Sequence, residues 1–260
     1  MPTNESLIQP QADKETAMKA HCNTGSQVNC GECRLGDLCL PISLLRNDIN
    51  QLDQIVQRGR PLQKSDKLYF AGDAFKAVFA VRSGSFKTVA VSTDGEEQVT
   101  GFYLPGEILG MDGIATNDHT NTAIALETSS VCEIPFNQLE DLSVKIPNLQ
   151  RRFFQIMGKE IASDQELISL LSKNSADEKM AFLLLSISQR NSQRGLSATE
   201  FYLPMARSDI GNYLGLTIET VSRVLGRFHK SGLIALDKKH VVILDIDELK
   251  RKVSGGKNTA

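Results

Sequence analysis

Cys30, Cys33 and Cys39 form a C-x2-C-x5-C run, three soft sulfur donors packed into ten residues. Donors of that type at that spacing suit an iron–sulfur centre or zinc. Gly31 and Gly36 give the intervening backbone the freedom to wrap around such a centre. A tight C-x2-C pair is common to zinc knuckles, redox motifs and clusters, so the spacing points to a metal and leaves its identity open. The fourth ligand is missing locally. Cys22 and His21 are near in sequence but lie in a polar tail, and Cys132, in Ser130-Val-Cys-Glu-Ile-Pro135, shares a strand face with Ile134 and on its own reads as a core thiol.

A second chemistry sits near the other end. Arg207 to Leu214 reads as a short helix, Gly215-Leu-Thr217 as a tight turn, and Ile218 to Lys230 as a second helix capped by Thr217. Ile210, Leu214, Leu216, Val221, Val224 and Leu225 fill the space between them, while Glu219, Ser222, Arg223 and Arg227 point elsewhere. This is a helix-turn-helix pattern. Arg223 can give two hydrogen bonds to guanine, Glu219 can accept from a cytosine amine, Ser222 can bond either way, and Ile218 can touch a thymine methyl. Arg207, Arg227, Lys230, Lys238 and Lys239 are phosphate partners in this reading, and a strand over His240 to Asp245 makes the motif a winged one. The alternative is an ordinary helical hairpin with a solvated charged face.

These groups need a frame. The chain has 260 residues, 29 basic and 31 acidic, for a formal charge of -2, so any surface for nucleic acid must be locally basic. Residues 1–20 lack a signal-peptide pattern, and the longest strongly apolar run, Met180 to Leu185, is far too short to cross a bilayer; a cytoplasmic protein that does not engage membranes is expected. In a reducing compartment its five cysteines are thiols or metal ligands rather than disulfides. Residues 1–29 read as a mobile tail and 30–42 as the metal-binding segment. An amphipathic helix spans Ile42 to Arg60, and the period then changes to two over Lys67–Phe70, Val78–Val81, Phe86–Val91, Gln98–Tyr103 and Ala123–Leu126, broken by Gly-bearing turns. That predicts an antiparallel β-roll over 43–146. A metal-dependent barrel enzyme would need clustered His and carboxylates, and His119, alone in a polar stretch, reads as a solvated loop residue.

Between roll and helix-turn-helix, residues 147–173 read as one long helix. Phe154, Met157, Ile161, Asp164, Ile168 and Leu171 follow a 3-4-3-4-3 spacing on one stripe, the pattern of a helix that pairs. Asp164 places a carboxylate where a self-pairing helix wants an apolar group, so a symmetric dimer brings two like charges together and pairing is marginal. The alternative is packing within its own domain, with Asp164 at a wet edge. Ser175 can cap a helix from Ala176 to about Arg190. Residues 174–253 then form the winged domain and 254–260 a tail.

With these residues in view, the chain resembles the oxygen-sensing fumarate and nitrate reduction regulators, Fnr and Anr, of the catabolite-activator superfamily. The resemblance runs from Cys30 to about Asp245 and is carried by ALETSSVCEIPF at 125–136, DIGNYLGLTIETVSRVLGRF at 209–228, the C-x2-C-x5-C run and EIASDQ in the long helix. It implies an α+β fold: a cyclic-nucleotide-binding-like β-roll, a dimerisation helix and a C-terminal winged helix-turn-helix. It implies a transcription regulator, not an enzyme, with a 4Fe-4S cluster on Cys30, Cys33, Cys39 and Cys132, reversing the isolated reading of Cys132 and leaving Cys22 a bystander. It places Glu219, Ser222 and Arg223 at base-reading positions beside Ile218. It puts Ile161 and Asp164, flanked by Met157 and Ile168, on a seam that pairs only when the cluster is intact. The expected partners are a second copy, a double-stranded DNA operator with two-fold related half-sites about one helical turn apart, and RNA polymerase through loops such as Thr93–Glu96 and Thr116–Asn121.

Two residues depart from the pattern. Arg34 puts a cation where relatives have a small polar residue, which bears on oxygen sensitivity. Gly158, inside the long helix, costs about 1 kcal/mol relative to Ala. Rival regulators of the same fold would bind a cyclic nucleotide or structural zinc. The first wants an Arg-Ser pair in the roll, where this chain has Asn121-Thr122 and no arginine between Arg82 and Arg151. A redox enzyme built on the N-terminal cysteines would leave the helix-turn-helix unexplained.

Overall fold

The computed structural model describes residues 28–173 and 175–253. Cys22, His21 and both expected tails, but for Val28 and Asn29, lie outside them. A 3-10 turn at Cys30–Glu32, capped by the Asn29 side chain, opens a run of turns. Helix α1 is Arg46–Ile55. The expected helix over Ile42 to Arg60 is thus shortened at both ends: Ser43 takes a left-handed φ of 64°, and after Val56 the chain extends so that Gln57–Arg58 joins a sheet as β1.

The period-two runs form β2 (Lys67–Tyr69), β3 (Ala77–Ser83), β4 (Phe86–Val91), β5 (Glu97–Tyr103), β6 (Ile108–Leu109), β7 (Thr122–Ala125) and β8 (Ser130–Pro135). Two antiparallel sheets, ordered β1-β8-β3-β6 and β2-β7-β4-β5, make the roll. Strand β3 is buried on both faces, and alternation sorts its residues. Ala77, Phe79 and Val81 fill the roll interior, whereas Val78 and Ala80 face a second core with Leu40, Leu52 and Ile134. Helices α2 (Phe136–Lys145) and α3 (Pro147–Lys173) follow, separated by extended Ile146. Leu149 and Phe153 of α3 enter that second core.

Ser175 opens α4 (Ala176–Gln193) with a capping box closed by Glu178. Then come β9 (Glu200–Tyr202), α5 (Arg207–Leu214), α6 (Ile218–Lys230), β10 (Ile234–Asp237), β11 (His240–Ile243) and α7 (Ile246–Val253). The three short strands form a β10-β11-β9 wing. The C-terminal part leans on the roll, since Val89, Val99, Phe102 and Leu126 share one core with α4, α5 and α6. Polar contacts key that surface. Arg190 of α4 and Arg194, the residue just after it, bind Glu107, Lys87 Nζ meets Asp209 at 2.6 Å, and Asn212 Nδ2 donates to Glu97 O at 2.7 Å. Burial alone would raise the Glu107 carboxyl, but the two guanidiniums hold it below its ordinary value.

His119 is not solvated. It is only 4% exposed, stacks on Tyr69 with ring centroids 3.8 Å apart, and has Nδ1 3.2 Å from Asp112 Oδ1. Asp112 also accepts from the backbone N–H groups of Thr120 and Asn121, so the pair fixes the loop 112–122 instead of facing water.

Candidate functional site

Cys30, Cys33, Cys39 and Cys132 are all free thiols, and all four line one pocket of about 40 Å³, whose walls include Leu40, Val56, Ala80 and Ile134. A single water needs about 10–15 Å³. Three of the thiols arrive on the turns before α1. The fourth comes from β8, where antiparallel pairing sets Cys132 opposite Arg58 of β1 and Ala80 of β3, on the face it shares with Ile134. Among the described residues, no group of three or more His, Cys, Asp or Glu side chains is arranged to hold a single metal ion.

Burial governs three of these thiols. It pushes Cys39 up to about 12 and raises Cys132, and burial together with the neighbouring Asp53 raises Cys30. Thiols raised in this way stay protonated near neutrality until a cationic centre compensates the thiolates. Arg58 brings a cation to the pocket: its Nη2 lies 2.5 Å from Asp53 Oδ1 and 3.7 Å from Cys30 Sγ, while Cys30 N donates to Asp53 Oδ1 at 2.7 Å. Its Nε is buried with no hydrogen-bond partner among the described residues. Four soft donors around a volume larger than a water, beside an orphaned cationic donor, fit an anionic iron–sulfur group. Arg34 stands on the exposed side of the segment.

Sequence reasoning missed three residues here: Asp53, Arg58 and Arg152. Arg152, in the second turn of α3, donates from Nε to Cys39 O at 3.1 Å and from Nη2 to Leu38 O at 2.5 Å. No local spacing announces any of them: the packing of α1 on the Cys30 turn brings Asp53, β1–β8 pairing brings Arg58, and the return of α3 across the segment brings Arg152.

On α3, Phe154 (61% exposed), Ile161 (57%) and Ile168 (66%) stand open, with Asp164 exposed among them. Met157 is half-buried against the core that holds Cys39 and Cys132, so the stripe and the thiol pocket share a side chain's neighbourhood. Partial burial raises the Asp164 carboxyl, and Glu160, one turn earlier, accepts from Tyr103 Oη at 2.8 Å. A Cβ at Gly158 would meet nothing within 4 Å, so its cost is not offset by packing inside the chain.

The helix-turn-helix has the expected anatomy. Thr217 Oγ1 accepts from Thr220 N at 3.2 Å and Gly215 is left-handed at φ 62°. A Cβ on Gly211 would come within 2.6 Å of Leu216 O, so glycine lets α5 approach the turn. Ile210, Leu214, Val221, Val224 and Leu225 are buried and Leu216 packs at their edge. Ile218, Glu219 and Arg223 are exposed and Ser222 is half-exposed, one face of the first two turns of α6. Hydrogen bonds from its own backbone N–H and from Thr217 hold the Glu219 carboxyl below its ordinary value, so it stands there as an acceptor. Arg207 Nη1 donates to Ser222 Oγ at 3.1 Å. Arg227, expected as a phosphate partner, is paired with Asp177 of α4, and Lys239 Nζ donates to Pro204 O at 2.8 Å.

Residues 178–252 match the Crp-like helix-turn-helix domain and residues 59–145 the cyclic nucleotide-binding domain. The transcriptional activator protein FnrA of Stutzerimonas stutzeri is 53% identical over 84% of this chain and 90% of its own length. The fumarate and nitrate reduction regulatory protein of Escherichia coli (strain K12) is 46% identical over 91% of this chain and 94% of its own. Among solved structures, FixK2 from Bradyrhizobium japonicum superposes with a TM-score of 0.70 at 27% identity, covering 76% of this chain and 96% of that one.

Proposed function

This chain belongs to the Crp/Fnr family of helix-turn-helix transcription regulators, and from that premise we propose that it is an oxygen-responsive member in which an iron–sulfur centre controls dimerisation and DNA binding. The observation that carries this reading is the convergence of Cys30, Cys33, Cys39 and Cys132, from two distant parts of the chain, on one pocket. These four residues would hold a 4Fe-4S cluster, which when bound would supply an oxygen-labile group whose iron is ligated by their sulfurs as thiolates. Arg58 offers its guanidinium to the ligand sulfurs from the side of Cys30 and Cys132.

The remaining residues act in sequence. Met157, Ile161 and Ile168 make the apolar seam between two copies of α3, and Asp164 opposes it, so the dimer forms only when the thiol pocket holds the start of α3 in place. Two α6 helices are then spaced for adjacent major grooves, where Ile218, Glu219, Ser222 and Arg223 read base edges and Lys230 and Lys238 meet phosphates. Contact with RNA polymerase falls to Thr93–Glu96, the tip between β4 and β5, and to Thr116–Asn121, the loop that His119 and Asp112 fix. No helix among the described residues is long and apolar enough to cross a membrane, which fits a regulator working on DNA in the cytoplasm.

The test is anaerobic purification followed by iron and acid-labile sulfide assays on the parent and on the four Cys→Ser variants, one at a time. About four irons per chain in the parent, lost in each variant, is the expected result. Zinc in place of iron, in a colourless protein indifferent to air, would replace this reading with a structural-metal regulator.

A further inference from the structure

We propose that Arg152 is a positioning residue that passes the state of the thiol pocket to α3, a proposal that rests on the cluster-dependent dimer and names the link within it. Its guanidinium holds two consecutive carbonyls, Leu38 O at 2.5 Å and Cys39 O at 3.1 Å, so one side chain of α3 reads the backbone of the segment that carries the third thiol. Two parallel donors in a rigid fork demand that both carbonyls point the same way. A change in the turn at Leu38–Cys39 therefore breaks both bonds together rather than bending one.

The surroundings give that contact a direction. On one side, Leu38 packs where a Cβ on Gly106 would come within 3.0 Å of it, so the segment has little room to slide along the roll. On the other, Phe153, Ile156 and Met157, the residues that follow the guanidinium along α3, share a core with Cys39, Cys132, Leu40 and Ile134. Met157, half-buried, lies on the stripe whose Phe154, Ile161 and Ile168 are exposed. With the four thiols tied to one centre, the Leu38–Cys39 turn is fixed and Arg152 fixes the first turns of α3. With the tie released, the turn gains freedom, both acceptors leave together, and the seam loses its origin.

The experiment uses the full chain prepared without oxygen, comparing parent, Arg152→Ala, Arg152→Lys, Asp164→Ala and the Arg152→Ala/Asp164→Ala pair. Arg152→Ala should keep the parent's iron and sulfide content and visible spectrum while its dimer dissociation constant rises by about tenfold or more. Arg152→Lys, with the charge but no fork, should fall between. In the Asp164→Ala background, where the dimer does not wait for the pocket, adding Arg152→Ala should change little.

Three results would overturn the proposal. The first is an iron-loaded Arg152→Ala chain that dimerises like the parent, and the second is loss of iron in step with loss of dimer. The third is equal weakening in both backgrounds, which would mean a general loss of α3 stability. A parent chain without iron, or with a dimer indifferent to air, would instead remove the cluster-dependent dimer itself and the link along with it.

Discussion

Helix α6 and the thiol pocket are the two candidate functional surfaces, and they are finished in different ways. The helix is complete as folded: Thr217 caps it, Gly215 and Gly211 let the turn close, its buried side chains lock it to α5, and its outward residues stand ready. The pocket is assembled from the turns before α1, from β1 and from β8. As folded, it leaves thiols raised by burial and a guanidinium nitrogen with no partner among the described residues. A surface that needs nothing cannot be switched locally, whereas one that stays unsatisfied until something binds can act as a sensor. In the function proposed above, the helix does the reading and the pocket decides when, with α3 between them.

The sharpest way to break that division is Cys132→Ser, which should empty the pocket and leave α6 untouched. Iron should be lost and anaerobic affinity for a specific operator should drop by roughly 100-fold or more toward the non-specific level, while the helical circular dichroism signal is kept. Loss of that signal would mean the two regions are not separable. Asp164→Ala acts between them. Removing like charges that cost about 1–4 kcal/mol at close approach should give a dimer that sedimentation still detects in air.

Glu107 sharpens the contrast from a third place, because its half-buried charge is already satisfied by Arg190 and Arg194. A carboxyl whose folded value is depressed contributes stability that is present above its unfolded value and is lost as pH falls through the folded one. Glu107→Gln should therefore lower stability by about 2–3 kcal/mol at neutral pH and flatten the acid limb of a denaturant-midpoint-against-pH profile, with iron content unchanged. Arg223→Ala and Glu219→Ala should each lose about 1–3 kcal/mol of discrimination at one base pair; equal weakening on every operator variant would mean contact with phosphate only. Thr217→Ala, the mildest, should cost about 1 kcal/mol of stability through the lost cap.

What could be read from the chain follows the same division. The helix-turn-helix was legible because its cap, glycine turn and 3.6-residue periodicity are contiguous, and the roll strands because period two and Gly-bearing turns are local. Cys132 was legible only through resemblance, since by its own alternation it belongs with Ile134 in a core, which is also true. Arg58, paired across from it, and Arg152, on the carbonyls of Leu38 and Cys39, were not legible at all, being set by strand pairing and by a helix more than 110 residues downstream of Cys39. His119 misled because its polar neighbours describe a loop, while Tyr69 and Phe75, which wall it in, stand about 50 residues earlier. The helix expected to reach Arg60 stopped at Ile55 because β8 claims Gln57 and Arg58. Arg227 was expected on phosphate because its partner, Asp177, lies 50 residues away on α4.

The most direct measurement is sedimentation velocity on one anaerobic sample, with iron determined in the same cell, repeated after air is admitted. A dimer carrying iron that becomes a monomer as the iron is lost is the outcome expected. A single unchanged species, before and after, would contradict the account.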